Sequence, residues 1–213
     1  MKIVYVSTLS STQNALISQI KQDSIKSDTC IVAHSQTNGI GSRGNKWSNV
    51  EKGLYFSFAK SLKSLPNDLQ SQSMAIFFAF IFMKTLRNLG SKIWLKYPND
   101  LFLENDKIGG VICSVVGVYA VCGIGLNIKS NNFASIEANI GDSLQDSKSF
   151  LEAYFHALSQ STWSEVFNAY KLEFYKNQAF SFHYNNEILS LKNATLQSDG
   201  AIKINDKIFY NIR

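Results

Sequence analysis

The chain has 213 residues, of which 45% are hydrophobic and 17% are charged. This composition suits one domain, or one domain with a small appendage, and argues against intrinsic disorder. The formal net charge of +5 fits either ordinary surface lysines or a positive cleft for phosphates or an acidic protein partner, and no long basic run indicates a nucleic-acid-binding tail.

The first 90 residues predict three strands and two helices. Ser10, Ser11 and Thr12 follow the first strand and offer N-caps to the first helix. The second helix is apolar nearly all round at residues 74–83, which predicts a buried helix because the run is too short to span a bilayer. The predicted strands are residues 2–6, 29–33 and 53–59, and the predicted helices run from about 12 to 22 and from 67 to 89, where Gly90 ends the second.

Residues 34–47 read H-S-Q-T-N-G-I-G-S-R-G-N-K-W and predict a flexible loop. Gly39, Gly41 and Gly44 are spaced by two and three residues. Because the loop lacks the G-K-[ST] of a P-loop, its glycines alone fit a surface loop without a function as well as a ligand-binding loop.

The most informative stretch runs from Trp94 to Asn127. It predicts strands at 93–97 and 101–103, and a hairpin of 108–116 with 118–122, because glycine at position 117 is the signal for a type II′ turn. Its polar residues fall at strand ends and are expected around one rim. They are Lys96, Asn99, Asp100, Lys107 and Asn127. The glycines beside them, which permit a close approach of backbone to ligand, are Gly109, Gly110, Gly123 and Gly125.

The rest of the chain predicts a loop at 131–140, helices at 149–158 and 162–176, and a small β unit. Short alternating runs separated by turn signals predict about five strands from residue 178 onward, arranged as a small barrel. The predicted fold class is therefore α+β, a mixed β-sheet with helices, with domain boundaries at 1–177 and 178–213.

The cysteines and histidines predict no metal site. His34, His156 and His183 have no metal-ligand spacing. Cys113 and Cys122 face each other if the hairpin turns at residue 117, so a disulfide is conceivable. The odd number of cysteines and the lack of a secretory signal favour reduced thiols in the cytosol.

Five motifs, taken in order, closely resemble those of biotin protein ligases. They are S-T-Q-N, the glycine-rich loop, K-Y-P-N-D, K-x-G-G and G-x-G-x-N. The family pattern has S-T-N, Q-x-x-G-R-G-R-x-G-R-x-W and K-W-P-N-D at the first three places. This chain departs from it by Gln13 in place of Asn, by Tyr97 in place of Trp, and in the loop by Ile40, Ser42 and Asn45 where basic residues are usual.

The resemblance covers roughly the whole chain and implies a two-step reaction. Biotin and ATP form biotinyl-5′-AMP, and a lysine of a biotin carboxyl carrier protein, an acetyl-CoA carboxylase subunit, then attacks the mixed anhydride. It further implies Mg²⁺ with the ATP, a catalytic domain of the biotin/lipoate ligase type, an SH3-like C-terminal barrel, a cytoplasmic location, and a monomer or homodimer. No membrane partner and no specific DNA partner are expected, because the catalytic fold begins at Lys2 and leaves no room for an N-terminal DNA-binding domain.

The resemblance also assigns site residues. Lys107 and then Arg43 are the expected catalytic cations, because positive charge must offset the charge that grows on the α-phosphate. The expected biotin contacts are Ser11, Thr12, Gln13, Gln36, Gly39, Gly41, Ser42, Lys107, Gly109, Gly110, Gly123 and Gly125. The expected ATP and adenylate contacts are Arg43, Trp47, Lys96, Asn99, Asp100, Lys107 and Asn127.

Two alternatives stay open at this point. A lipoate ligase shares the fold, although the loop sequence G-I-G-S-R-G-N-K-W differs from the R-R-x-x-G-G-G expected there. A basic RNA-binding protein built on the terminal barrel is compatible with the net charge, but aromatic residues interleaved with basic ones are not evident in that segment.

Overall fold

The computed structural model describes residues 1–138, 140, 147–185 and 187–210. Its strands are β1 (Lys2–Leu9), β2 (Thr29–Gln36), β3 (Gly39–Ile40), β4 (Lys46–Trp47), β5 (Lys52–Ser61), β6 (Trp94–Lys96), β7 (Asp100–Leu103), β8 (Asp106–Val116), β9 (Tyr119–Lys129), β10 (Ser181–Tyr184), β11 (Glu187–Ser190), β12 (Thr195–Leu196), β13 (Ile202–Ile204) and β14 (Lys207–Phe209). Its α-helices are α1 (Thr12–Lys21), α2 (Met74–Arg87), α3 (Ser147–Gln160) and α4 (Trp163–Glu173).

A seven-stranded sheet organises the fold, with the strand order β1-β2-β5-β9-β8-β7-β6. β1 and β2 are parallel, and each other neighbouring pair is antiparallel. The predicted α+β class with a mixed sheet is therefore confirmed. The predicted hairpin is confirmed as well: β8 and β9 pair from Val116 and Tyr119 backward, and Gly117 takes a positive φ of 58° at the turn.

Helices cover both faces of the sheet because its strands alternate in the direction of their side chains. In β2, Cys30 and Val32 belong to the large core beneath α2, α3 and α4, whereas Ile31 belongs to the smaller core with Leu16 of α1. Ser11 is the N-cap of α1, and its side chain accepts from the backbone N–H of Asn14 at 3.4 Å. The predicted capping at this helix start is confirmed.

The apolar helix α2 is the centre of the large core. Its Phe78 and Phe82 are fully buried and make edge-on ring contacts with Phe58 of β5 and Tyr154 of α3, at centroid distances of 5.2 and 5.4 Å. The prediction of a buried helix is correct. None of the helices in the described ranges is long and apolar enough to cross a membrane.

The predicted start of this helix at residue 67 is wrong, because α2 begins at Met74. Asp68, which resembles a helix-starting residue locally, accepts instead from the backbone N–H groups of Trp163 and Ser164, at 3.2 and 2.9 Å. It therefore stabilises the first turn of α4, a helix almost a hundred residues later in the sequence. Residues 62–73 connect β5 to α2 and include two short 3₁₀ turns, Leu62–Ser64 and Ser71–Ser73.

The C-terminal strands form two small sheets, β10-β11 and β12-β13-β14. All five lie after residue 178, where about five strands are predicted. Phe182, Leu196 and Ile202 share the core that α2 organises, so the β unit packs on the main sheet. Its SH3-like closure and the boundary after residue 177 stay predictions, and residues 211–213 of that unit lie outside the described ranges. The predicted loop at 131–140 contains no helix or strand at its described residues.

One ion pair joins α2 to α4 near the sheet. Arg87 donates through Nη1 and Nη2 to the two carboxylate oxygens of Glu173, at 2.9 and 2.8 Å, and through Nε to the carbonyl of Ile93 at 2.7 Å. Burial tends to raise the pKa of Glu173, but the hydrogen bonds and charges of Arg87 and Lys176 outweigh it and lower that pKa below its usual value. The pair therefore holds both helices against the segment that leads into β6.

We predict that Glu173→Gln lowers the free energy of unfolding at neutral pH by about 1–3 kcal/mol, the usual size of a hydrogen bond to a charged group. Because the folded-state pKa of Glu173 is depressed, its contribution is present above the unfolded pKa of about 4.3 and is lost as the pH falls through the folded value. In the Glu173→Gln variant, this part of the loss of stability at acidic pH should be absent. Urea unfolding from neutral to acidic pH measures both effects, with the exposed Glu152→Gln as control. Parallel pH profiles for wild type and Glu173→Gln would contradict the assignment.

Candidate functional site

A slot lies between the start of α1, the glycine-rich loop and the central strands β5, β8 and β9. It has about 430 Å³ of unfilled space, which includes open solvent at its mouth. The loop contributes β3, a short 3₁₀ turn at Ser42–Gly44 and β4, so it covers one side of the slot. The sheet forms the floor.

A hydrogen-bond network fixes the inner end of the slot. Thr12 donates from its backbone N–H and from its hydroxyl to Gln36 Oε1, at 2.8 and 3.1 Å, and its hydroxyl also lies 2.8 Å from Ser57 Oγ. Two donors therefore occupy the amide oxygen of Gln36. The side chain of Asn49 fixes the backbone of Gln36 through two hydrogen bonds. The backbone N–H of Gln36 donates to Asn49 Oδ1, and the carbonyl of Gln36 accepts from Asn49 Nδ2.

Among the described residues, two buried polar atoms that line the slot have no hydrogen-bond partner. Gln13 is 5% exposed and donates through Nε2 to the carbonyl of Val121 at 3.3 Å, but its Oε1 accepts nothing. The indole Nε1 of Trp47 is also buried and donates to nothing. A buried polar group without a partner costs free energy. The slot is therefore complementary to a ligand that offers an N–H donor to Gln13 and an acceptor to Trp47.

The glycines of β9 make room for these two side chains. A Cβ on Gly123 would lie 2.7 Å from Gln13 Oε1, and a Cβ on Gly125 would lie 2.6 Å from Cε2 of Trp47. Both distances are too short for a carbon atom to be added without movement. The floor of the slot is therefore bare backbone, as expected where a side chain or ligand approaches a strand closely.

Positive charge gathers at the mouth of the slot. Lys107 Nζ lies 2.7 Å from Asp100 Oδ1 and 5.8 Å from the ring centroid of Trp47. Lys96 Nζ lies over the rings of Phe102 and Phe180, at 5.3 and 5.8 Å. The pKa of Lys96 is lowered, mainly by burial and further by the positive charges of Lys107 and Arg43. The negative charge of Asp100 acts in the opposite direction and raises this pKa. Lys96 thus lies within electrostatic range of Asp100, Lys107 and Arg43, and the excess of positive charge suits an anionic group.

Arg43 points away from the slot. Its Nη1 donates to the carbonyl of His183 in β10 at 3.0 Å, and its backbone is left-handed with a φ of 56°. The tip of the glycine-rich loop is therefore bound to the C-terminal β unit. Asn127 also has another partner, because its Nδ2 donates to the carbonyl of Ala134 at 3.0 Å and so holds the loop after β9.

The structure brings most of the residues predicted for the site together. Those that line the slot are Ser11, Thr12, Gln13, Gln36, Gly41, Ser42, Trp47, Asn99, Lys107, Gly110, Gly123 and Gly125. Those that do not line it are Gly39, Arg43, Lys96, Asp100, Gly109 and Asn127. Of these, Gly39 and Gly109 have packing roles, because a Cβ there would lie 2.7 Å from the carbonyl of Trp47 and 2.8 Å from that of Gly125.

Sequence reasoning missed the apolar wall and one hydroxyl. The missed lining residues are Ile40, Ser57, Val111, Ile112 and Ile124. Ser57, Ile112 and Gly123 lie within one cross-strand row of β5, β8 and β9. Extension of the predicted hairpin by one residue, from 122 to Gly123, would have placed Ile112 opposite that glycine. Ser57 gave no local signal, because it stands in an apolar alternating strand.

Residues 5–129 match the model of the biotin/lipoate A/B protein ligase family. Among curated proteins, the bifunctional ligase/repressor BirA of Escherichia coli is 29% identical over 146 residues, which cover 65% of this chain and 44% of BirA. The chain therefore spans less than half the length of the curated relatives that it matches.

Solved structures match over nearly the whole chain. A biotin acetyl coenzyme A carboxylase synthetase of Helicobacter pylori, solved with bound biotinylated ATP, is 40% identical with a TM-score of 0.92, and 99% of each chain is covered. A biotin protein ligase of Leishmania major in complex with biotinyl-5-AMP has a TM-score of 0.71 at 17% identity, over 99% of this chain and 95% of that one. At that identity the second match supports the fold alone.

We predict that Gly125→Ala displaces the Trp47 indole, because the added carbon would lie 2.6 Å from that ring. The variant should lose about 1–3 kcal/mol of stability, the usual cost of overpacking, and its tryptophan emission should change. Gly110→Ala is the matched control for both readouts, since the nearest heavy atom to its added carbon is 3.5 Å away. Wild-type emission and stability in Gly125→Ala would show that Trp47 does not lie on this strand.

Proposed function

The chain belongs to the biotin/lipoate A/B protein ligase family, since the family model matches more than half of its residues, and on that basis we propose that it is an ATP-dependent biotin–protein ligase. In this proposal it joins biotin to the α-phosphate of ATP and then transfers the biotinyl group to a lysine of a carrier protein. The Helicobacter pylori relative, solved with biotinylated ATP, supports this choice of substrates.

The order of chemical groups along the slot carries the proposal. The unpaired acceptor of Gln13 lies at the inner end, the side chain of Ile112 lines the wall, and Lys107 lies toward the mouth. Biotin has the same order, with ureido N–H donors, an apolar arm and a carboxylate. A lipoyl head group has no N–H for Gln13, so this gradient favours biotin over the second ligand class of the family.

In the first step, a biotin carboxylate oxygen attacks the α-phosphorus of ATP, and the bond to the bridging oxygen breaks to release pyrophosphate. Two anions must approach each other, so the site has to offset their repulsion and the charge that grows in the transition state. Lys107 supplies this charge at the mouth of the slot. Arg43 is the second cation, and it acts after exchanging the His183 carbonyl for a phosphate oxygen, which its guanidinium binds more strongly.

In the second step, the carrier lysine attacks the acyl carbon of the mixed anhydride, and AMP leaves. The anhydride is already activated, so no catalytic triad is required. Asp100 is the carboxylate nearest to Lys107 and is suited to accept a hydrogen bond from the incoming amine. The reaction belongs in the cytoplasm, where ATP and reduced cysteines are available.

Mg²⁺ enters this proposal together with ATP. The described residues contain no group of three or more His, Cys, Asp or Glu that could hold a metal ion. Mg²⁺ commonly needs only one or two protein carboxylates in addition to substrate phosphates. Asp100 at the mouth is the candidate for such a contact, and the metal would neutralise part of the phosphate charge.

The direct test is transfer of labelled biotin to an isolated carrier domain. The proposal expects labelling that requires both ATP and biotin, and calorimetric binding of biotin but not of lipoate. Labelling of the carrier with lipoate instead would favour the lipoate-ligase alternative. Binding of RNA without either acid would favour the third interpretation.

We predict that Lys107→Ala loses adenylation while the fold is kept. Removal of one electrostatic donor from a charged transition state costs about 3–4 kcal/mol, or roughly a few hundredfold to a thousandfold in rate. Pyrophosphate release measures the rate, and thermal unfolding reports the fold. Lys26→Ala, at an exposed lysine on another part of the surface, is the control. Near-normal turnover by a folded Lys107→Ala would refute the role.

We predict that Ser42→Arg slows dissociation of the biotinyl-adenylate. Ser42 lines the slot and stands where the family pattern has a basic residue. A hydrogen bond to a charged group contributes about 1.5–3 kcal/mol, roughly ten- to a hundredfold in affinity, mostly in the dissociation rate. Stray labelling of bystander lysines should fall in parallel. If neither quantity changes, other contacts such as Arg43 or backbone N–H groups hold the intermediate.

A further inference from the structure

Cys113 of β8 and Cys122 of β9 lie directly opposite each other in the sheet. The contacts of Val111 show which type of pair they form. The N–H of Val111 donates to the carbonyl of Asn99 at 2.9 Å, and the carbonyl of Val111 accepts from Asn99 Nδ2 at 2.6 Å. Both backbone groups thus point away from β9. Because pair types alternate along an antiparallel ladder, the pair two residues further on, Cys113 with Cys122, is also non-hydrogen-bonded.

Non-hydrogen-bonded pairs bring side chains closest together. Their Cα atoms are about 4.5 Å apart, which lies within the range of about 4.4–6.8 Å for disulfides but below the common value of about 5.5–6 Å. A disulfide between Cys113 and Cys122 is therefore sterically accessible. Its formation would push the two strands apart at this position.

The two thiols differ in their access to solvent. Cys113 is partly exposed, whereas Cys122 is fully buried, and burial raises the pKa of the Cys122 thiol. In the described part of the chain, β7 pairs with β8 only as far as Gly110, so it leaves the outer edge of β8 uncovered by a strand at Cys113. A small oxidant therefore reaches Cys113 first.

The third cysteine is too far away to compete. Cys30 pairs across the sheet with Phe58, and Phe58 pairs with Cys122. Two strand spacings of about 4.8 Å each separate Cys30 from Cys122, which exceeds the limit of about 7 Å for a disulfide. Cys30 is thus a control within the same row of residues.

We propose that Cys113 and Cys122 are an oxidisable thiol pair, which peroxides convert to a cross-strand disulfide, and that this disulfide weakens ligand binding in the slot. The first half of this proposal stands on the sheet geometry alone. The weakening of ligand binding rests on the proposed function only in so far as that function identifies the ligand as biotin.

The chemistry balances with a peroxide as the oxidant. The Cys113 thiolate attacks one peroxide oxygen, the O–O bond breaks, and a sulfenic acid forms as water or an alcohol leaves. The Cys122 sulfur then attacks the sulfenic sulfur, and the hydroxyl leaves as water. The two sulfurs lose two electrons to the peroxide, and the two thiol protons end in the released products.

The neighbouring pair connects the disulfide to the slot. Ile112 and Gly123 are adjacent to the two cysteines, pair with each other and line the slot. A Cβ on Gly123 would lie 2.7 Å from Gln13 Oε1 and 3.1 Å from Ser57 Oγ, so the backbone there has no free space on the slot side. A displacement of β8 from β9 therefore moves the floor beneath the ligand, because close-packed interiors transmit strain.

The disulfide is tested on the full chain, reduced with dithiothreitol, freed of reductant and treated with hydrogen peroxide. Remaining thiols are alkylated, and a non-reducing digest is analysed by mass spectrometry. We expect a peptide linked through Cys113 and Cys122, with Cys30 alkylated, and its loss on reduction. Absence of the linked peptide, or a disulfide that includes Cys30, would overturn the first half.

The coupling is tested by calorimetric titration of biotin before and after oxidation. We expect at least a tenfold loss of affinity that dithiothreitol reverses. Cys30→Ala should keep this response, whereas Cys113→Ala should lose it. Should Cys113→Ala not fold, wild-type chain alkylated selectively at Cys113 replaces it. Complete disulfide formation with unchanged affinity would overturn the coupling.

Trp47, one of the three tryptophans of the chain, contributes to an emission readout that needs no ligand. Its indole lies against Gly125, two residues from Gly123, so oxidation should change the emission in wild type and in Cys30→Ala but not in Cys113→Ala. If the reduced chain binds no biotin, the proposed function fails, and this signal still decides the coupling. Unchanged emission in fully oxidised chain would then contradict it.

Discussion

The slot depends on one constraint: β9 must present bare backbone at Gly123 and Gly125. The Gln13 amide lies over the first glycine and the Trp47 indole over the second, each within 3 Å of the place where a Cβ would be. Since Gln13 comes from the start of α1 and Trp47 from the glycine-rich loop, these two glycines determine how a helix and a loop approach the sheet. The unpaired atoms Gln13 Oε1 and Trp47 Nε1 are a consequence of that approach.

The C-terminal β unit contributes to the mouth of the slot from the other side. Phe180, just before β10, lies beneath the Lys96 amine, and the carbonyl of His183 holds Arg43. Asn177 is fully buried and accepts from the backbone N–H of Tyr97 at 2.7 Å, so it also fixes the strand that carries Lys96. Residues near the C-terminal β unit therefore hold two cations of the positive rim, Arg43 of the glycine-rich loop and Lys96 of β6.

The residues of the slot that could be predicted from sequence stand in short motifs at the ends of strands. Gln13 and Lys107 are polar residues in motifs that local capping and turn rules place at element ends. Ser57 could not be predicted because its strand looks like ordinary core. The direction of Arg43 could not be predicted either, because it depends on a carbonyl 140 residues away. The prediction of the start of α2 was wrong for the same reason, because Asp68 forms its hydrogen bonds with a helix that is distant in the sequence.

The central claim is that Gln13 Oε1 is kept unpaired in order to accept an N–H from the ligand. Calorimetric titration of biotin into wild type and Gln13→Met tests it most directly, with the exposed Gln19→Met on the same helix as control. Loss of a buried hydrogen bond should cost about 1–3 kcal/mol, so Gln13→Met should bind biotin roughly five- to a hundredfold more weakly than wild type. Gln19→Met should bind biotin with the affinity of wild type. Equal affinity of Gln13→Met and wild type for biotin would contradict the account.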